Sequence, residues 1–201
     1  MLNAFRVVLS AMILVNSAFA LDACSTATTG SNTAAPVTLL DGGSLGASKF
    51  PPADTTNGGQ RQPVNGIRCE HKEGRAFHWH SHVSLFVNGE QIAIPQNIGI
   101  VGDPSNVCFY WLHTHDETGI VHVETPQGHV FHLADLFAIW GEPLSSNNVA
   151  GFSGPVKVAI DGKWFAGEIG SVALRDHQEV TVVVGDPVVT PPQYAYPEKD
   201  K

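Results

Sequence analysis

The chain has 201 residues, with 11 Lys+Arg against 19 Asp+Glu and a formal net charge of −8. A surface of that sign repels phosphate backbones, so nucleic acid is not an expected partner. No stretch stays apolar for the roughly 20 residues that a membrane-spanning helix needs, so no span is expected either.

The first segment reads as a secretory signal over residues 1–20. Arg6 precedes an apolar run from Val7 to Val15, and the small residues Ala18 and Ala20 have the spacing a signal peptidase reads. Export to the periplasm or beyond follows. Leu21-Asp22-Ala23-Cys24 loosely resembles a lipobox, so a lipid anchor at Cys24 is an alternative to plain cleavage after Ala20. Both methionines, Met1 and Met12, fall in the signal, which leaves the mature chain without thioether ligands for copper(I).

Residues 21–64, rich in Ser, Thr, Ala, Gly and Pro, read as a low-complexity linker with Phe50 as its one aromatic residue. A globular domain is expected over 65–187, and residues 188–201 as a tail containing Pro191, Pro192 and Pro197. With Cys24 set aside, Cys69 and Cys108 are left as a pair, and in an oxidising compartment a disulfide is their default state.

Within the domain, Phe77 to Val87 alternates as a strand, with Phe77, Trp79, Val83, Leu85 and Val87 on one face and His78, His80 and His82 on the other. Asn88-Gly89 predicts a two-residue hairpin returning through Gln91 to Ile94. Val107 to His115 and Gly119 to Glu124 predict a second hairpin turning at Asp116-Glu117-Thr118. Val130 to Trp140 predicts a helix, with Leu133, Leu136, Phe137 and Trp140 on one stripe and Gly141 as its stop. Val156 to Ile160, Lys163 to Ala166 and Glu179 to Val184 complete the predicted strands. The class is α+β: a mainly antiparallel sheet with one packed helix, for which a β-grasp-like arrangement is the expected topology.

Six of the ten histidines fall in two short stretches: His78, His80 and His82, then His113, His115 and His122. A His-x-His pair on a strand turns both imidazoles to one face, which makes it a simple chelating unit. Residues i and i+4 on a strand stand about 13 Å apart, so the triplet should split between a site and its surroundings. The expected ligands are His80, His82, His113 and His115, supported by His78 and His122, with Glu124 as a further ligand or an acceptor behind one. Imidazole nitrogen suits copper(II) or zinc, and about one tight ion per chain is expected. His71, His129 and His177 read as solvated side chains, and His132 as a packed or capping residue.

The Phe77–Gly89 run, with Cys108-Phe-Tyr-Trp-Leu-His-Thr-His-Asp116, Gly119-Ile-Val-His-Val-Glu124 and the Phe137–Gly141 helix end, resembles a family of exported bacterial proteins marked by these histidine strings. The resemblance implies export and a shared fold, and it supplies no activity. Three readings follow from the residues: a metal-binding protein for sequestration, delivery or resistance; a small metal-dependent hydrolase or oxygenase; or a structural surface module. In the second, Asp116, Glu117 or Glu124 is the candidate general base.

Overall fold

The computed structural model describes residues 35–52, 58–74 and 76–197. The predicted signal peptide and the anchor position Cys24 lie outside the described residues.

The described residues begin with β1 (Val37–Thr38), β2 (Cys69–Glu70) and the long β3 (Phe77–Val87). Next come β4 (Glu90–Ile92), β5 (Ile100–Val101), β6 (Cys108–Tyr110), β7 (Leu112–His113) and β8 (Ile120–Thr125). The helix α1 (Leu133–Trp140) is followed by three short strands, β9 (Leu144–Ser145), β10 (Asn148–Val149) and β11 (Phe152–Ser153). β12 (Val156–Ile160), β13 (Lys163–Phe165), a 3-10 turn at Ile169–Ser171, β14 (Glu179–Val184) and β15 (Tyr194–Ala195) complete the order.

The central sheet runs β13-β12-β14-β3-β8-β7, with β4 hairpinned onto β3. Its pairings are antiparallel except β14 against β3, which is parallel. The α+β class is as expected. Asn88 and Gly89 both take positive φ, at 49° and 84°, as a two-residue turn that matches strand twist requires. The helix buries Leu133, Leu136, Phe137 and Trp140 as the stripe predicts. Gly141, at φ 87°, ends it by donating its N–H to the Phe137 carbonyl at 2.8 Å. Among the described residues, no helix is long and apolar enough to cross a membrane.

Three expectations shift. The predicted strand over 107–115 breaks at Trp111: β6 pairs with β2 and β5 in a separate sheet, and β7 joins the central one. Tyr110, Trp111 and Leu112 are all buried, and consecutive side chains of one strand point to opposite faces, so the chain changes sheets to bury them. Part of the predicted linker is folded. Phe50 packs edge-on against Trp140 with centroids 4.9 Å apart, Leu39 is buried, and Gly59 donates its N–H to the Ile139 carbonyl. Part of the predicted tail is folded too: β15 pairs in parallel with β1, and Tyr194 and Tyr196 are buried.

The two faces of the central sheet are covered differently. On one face Val83, Leu85, Leu112, Val121 and Val123 meet α1 in the main core. On the other, Leu39, Ile120, Tyr194 and Tyr196 form a small cluster that covers only one end. Beyond that cluster the same face carries His78, His80, His113 and His122.

Candidate metal centre

β3, β8 and β7 lie side by side, and their register places His80 opposite His122 and His122 opposite His113. Adjacent strands are about 4.8 Å apart, so three imidazoles stand in a row across three strands. Two residues along, on the same face, His78 stands opposite Glu124. His115 follows His113 at the same spacing, beyond the end of β7. The sheet thus brings together both histidine strings, as the sequence spacing required of it.

The nitrogens converge. His80 Nε2 lies 3.2 Å from His78 Nε2 and 3.1 Å from His122 Nδ1. Two nitrogens on one tetrahedral ion, with bonds of about 2.1 Å, stand roughly 3.4 Å apart, so this spacing is close to that of a coordination shell. Three groups each offer ligand atoms within 4.8 Å of one another: His78, His80 and His122; His113, His115 and His122; and Glu73, His113 and Glu124. Glu124, nearly buried, places Oε1 3.3 Å from His78 Nε2. Glu73 Oε1 lies 3.8 Å from His115 Nε2.

His113 has the chemistry of a ligand. Its ring is fully buried, and Nδ1 lies 2.9 Å from the Tyr110 carbonyl oxygen. A carbonyl oxygen only accepts, so Nδ1 carries the proton and Nε2 carries a lone pair. That Nε2 is buried and has no hydrogen-bond partner. Buried polar atoms are rarely left in this state, and a metal ion would satisfy it. Burial, then the neighbouring His115, lowers the His113 pKa to about 3. Burial and the surrounding His113, His115, His80 and His78 lower that of His122 to about 2. Both rings are therefore neutral at physiological pH, the form that binds metals.

His82 does not join them, which corrects its place among the expected ligands. It belongs to none of the three groups. Its Nε2 donates to the Thr118 carbonyl at 2.8 Å, and Nδ1 meets Glu179 Oε2 at 2.8 Å. Its ring lies under Tyr194, with centroids 4.1 Å apart. Both nitrogens are occupied and no solvent reaches the ring, so His82 serves as a buried strut between β3 and β14. The triplet splits, as its length required, but it is His78 and His80 that share a ligand group.

Of the carboxylates proposed as a base, Asp116 accepts hydrogen bonds from Gly42 and Thr118, and Glu117 accepts one from Ser48 Oγ. Both serve the loop that carries residues 42–48, and neither belongs to a ligand group. Glu124 does. Glu73 was not anticipated. It reaches the site because Gly74 passes so close to β8 that a Cβ would sit 2.8 Å from the Thr125 carbonyl carbon. The one sequence signal for it was Glu73-Gly74 just before β3. Glu73, Gly74, His78 and Glu124 line an open cavity of about 350 Å³ beside the cluster.

The remaining histidines stand apart. His71 contacts the Val107 carbonyl, His129 packs on Phe131, and His177 pairs with Asp176. His132 is the N-cap of α1, and its N–H is held by Asp135 at 2.8 Å. Cys69 and Cys108 form the expected disulfide, tying β2 to β6 next to the loop that carries Glu73.

Comparison with family models, with curated proteins and with solved structures finds no match to this chain.

Proposed function

We propose that this is an extracytoplasmic protein that binds a transition metal, copper or zinc, through the histidine face of β3, β8 and β7. Sequestration, delivery or resistance is its role. The observation that carries this reading is His113, a fully buried imidazole whose Nε2 holds a lone pair and no partner beside four other histidines. The disulfide and the signal-like leader support an oxidising compartment outside the cytoplasm. Kinship with the exported family that its histidine strings resemble is part of the same proposal.

The test is metal analysis of the protein purified without a histidine tag. At least one ion of copper or zinc per chain, with thermal stabilisation on adding either metal, is the expected result. No stoichiometric metal and no stabilisation overturns the reading.

A second reading, a small metal-dependent enzyme, is favoured by the cavity bounded by Glu73, His78 and Glu124. Its size lies within the range of small-molecule sites, and its lining includes two carboxylates, groups able to act as a base toward metal-bound water. Turnover of a hydrolysable substrate, lost in Glu124→Gln by far more than any fall in bound metal, would favour it over binding alone.

A further inference from the structure

The ligand groups on the histidine face do not fuse into one. His78 and His80 stand at one end and His113 and His115 at the other, and no group among the described residues contains members of both pairs. Two residues join the ends. His122 belongs to both three-histidine groups. Glu124 lies 3.3 Å from His78 at one end and shares a group with His113 and Glu73 at the other. Five histidines and two carboxylates make seven donors. A tetrahedral ion takes four, so a single ion would leave three donors of this partly buried face without one.

We infer that the face holds two metal ions side by side. His78 and His80 take the first, His113 and His115 take the second, and His122 and Glu124 lie between them. This rests on the metal-binding reading above and deepens it. A carboxylate has two oxygens and can bridge two ions without losing a proton. An imidazole has two ring nitrogens and can bridge after releasing its one ring proton to solvent. His122 Nδ1, 3.1 Å from His80 Nε2, is the nitrogen turned toward the first ion. Two divalent charges also fit a site that contains two carboxylates, Glu73 and Glu124. Each pair joins a buried ring to an exposed one: His80 and His113 are buried, His78 and His115 exposed.

The experiment is equilibrium dialysis of the untagged mature chain against zinc, and separately copper(II), with bound metal counted by mass spectrometry. His78 and His115 are exposed and each belongs to only one three-histidine group, so His78→Ala and His115→Ala remove one end at a time with little risk to folding. The expected result is two ions per chain, falling to one in each variant. His122→Gln should weaken both ions by at least about tenfold. The copper-loaded protein should show the half-field resonance of two coupled copper(II) centres, absent from both single-end variants. One ion per chain in the unaltered protein overturns the two-ion arrangement and leaves the metal-binding reading standing. Two ions that persist in both variants also overturn it, since they would then lie elsewhere. No ion overturns both.

Discussion

The Tyr110 carbonyl holds His113 Nδ1 at 2.9 Å, and this contact decides which nitrogen of a fully buried imidazole is left to bind. Residue 110 ends β6 in one sheet and residue 113 ends β7 in another, so the turn at Trp111 that separates the sheets also sets the tautomer. Second contacts of this kind commonly change metal affinity by about 10–100-fold. His113→Gln, which loses the aligned lone pair, should lower affinity for copper(II) or zinc by at least that factor. Competition against a chelator of known affinity measures it.

Acid should destabilise the metal-free protein. In the unfolded chain His113 and His122 take up protons near the ordinary value of 6.5, whereas in the folded chain they do so only near 3 and 2. Between those limits the unfolded state binds more protons, so stability is fullest above about pH 6.5 and falls as pH drops toward 3. The slope approaches about 1.4 kcal/mol per pH unit for each ring. Denaturant melts in chelator at pH 7.5, 6, 5 and 4 check it, and an unchanged midpoint would contradict the burial of both rings.

His82→Ala should behave unlike a ligand substitution. It leaves the Thr118 carbonyl and the Glu179 carboxylate without their partner and opens a void beneath Tyr194. A loss of about 2–4 kcal/mol is expected. Metal stoichiometry should stay the same, measured below the variant's melting temperature.

Replacing Cys69 and Cys108 with serine removes a cross-link between residues 39 apart in sequence. The chain-entropy account puts the loss at up to about 4 kcal/mol. Because the disulfide anchors the start of the segment leading through Glu73 to β3, metal affinity should also fall. Chemical denaturation and metal competition on the same variant separate the two effects.

Leu136→Ala tests the helix's place in the core. Leu136 is fully buried on the stripe that α1 turns to the sheet, and its truncation should cost about 2–5 kcal/mol without altering the number of ions bound. Thermal unfolding and metal analysis read both.

Local patterns announced themselves. The period-two alternation of Phe77 to Val87, the Asn88-Gly89 turn and the Leu133–Trp140 stripe each state a local geometry, and neighbouring residues alone satisfy it. The two His-x-His units were legible for the same reason, since alternate residues on a strand share a face whatever lies beyond. The membership of the site was not. His82 has the same parity as His78 and His80, and long-range contacts with Thr118, Glu179 and Tyr194 remove it from the set. Glu73 carries no periodic signal, because its position depends on how closely Gly74 can approach β8.

The amino-acid order by itself determined that the described residues have one α-helix, many strands, a cystine pair and an imidazole-rich sheet face suited to a metal. Tertiary structure alone decided which strands lie edge to edge, and so which rings meet: the pairing of β3 with β8 and of β8 with β7 aligned His80, His122 and His113 in one row. The physical reason is range. Side-chain direction along a strand repeats every two residues and can be read locally. Strand partners and the segments that cover a face are chosen by burial summed over the whole molecule.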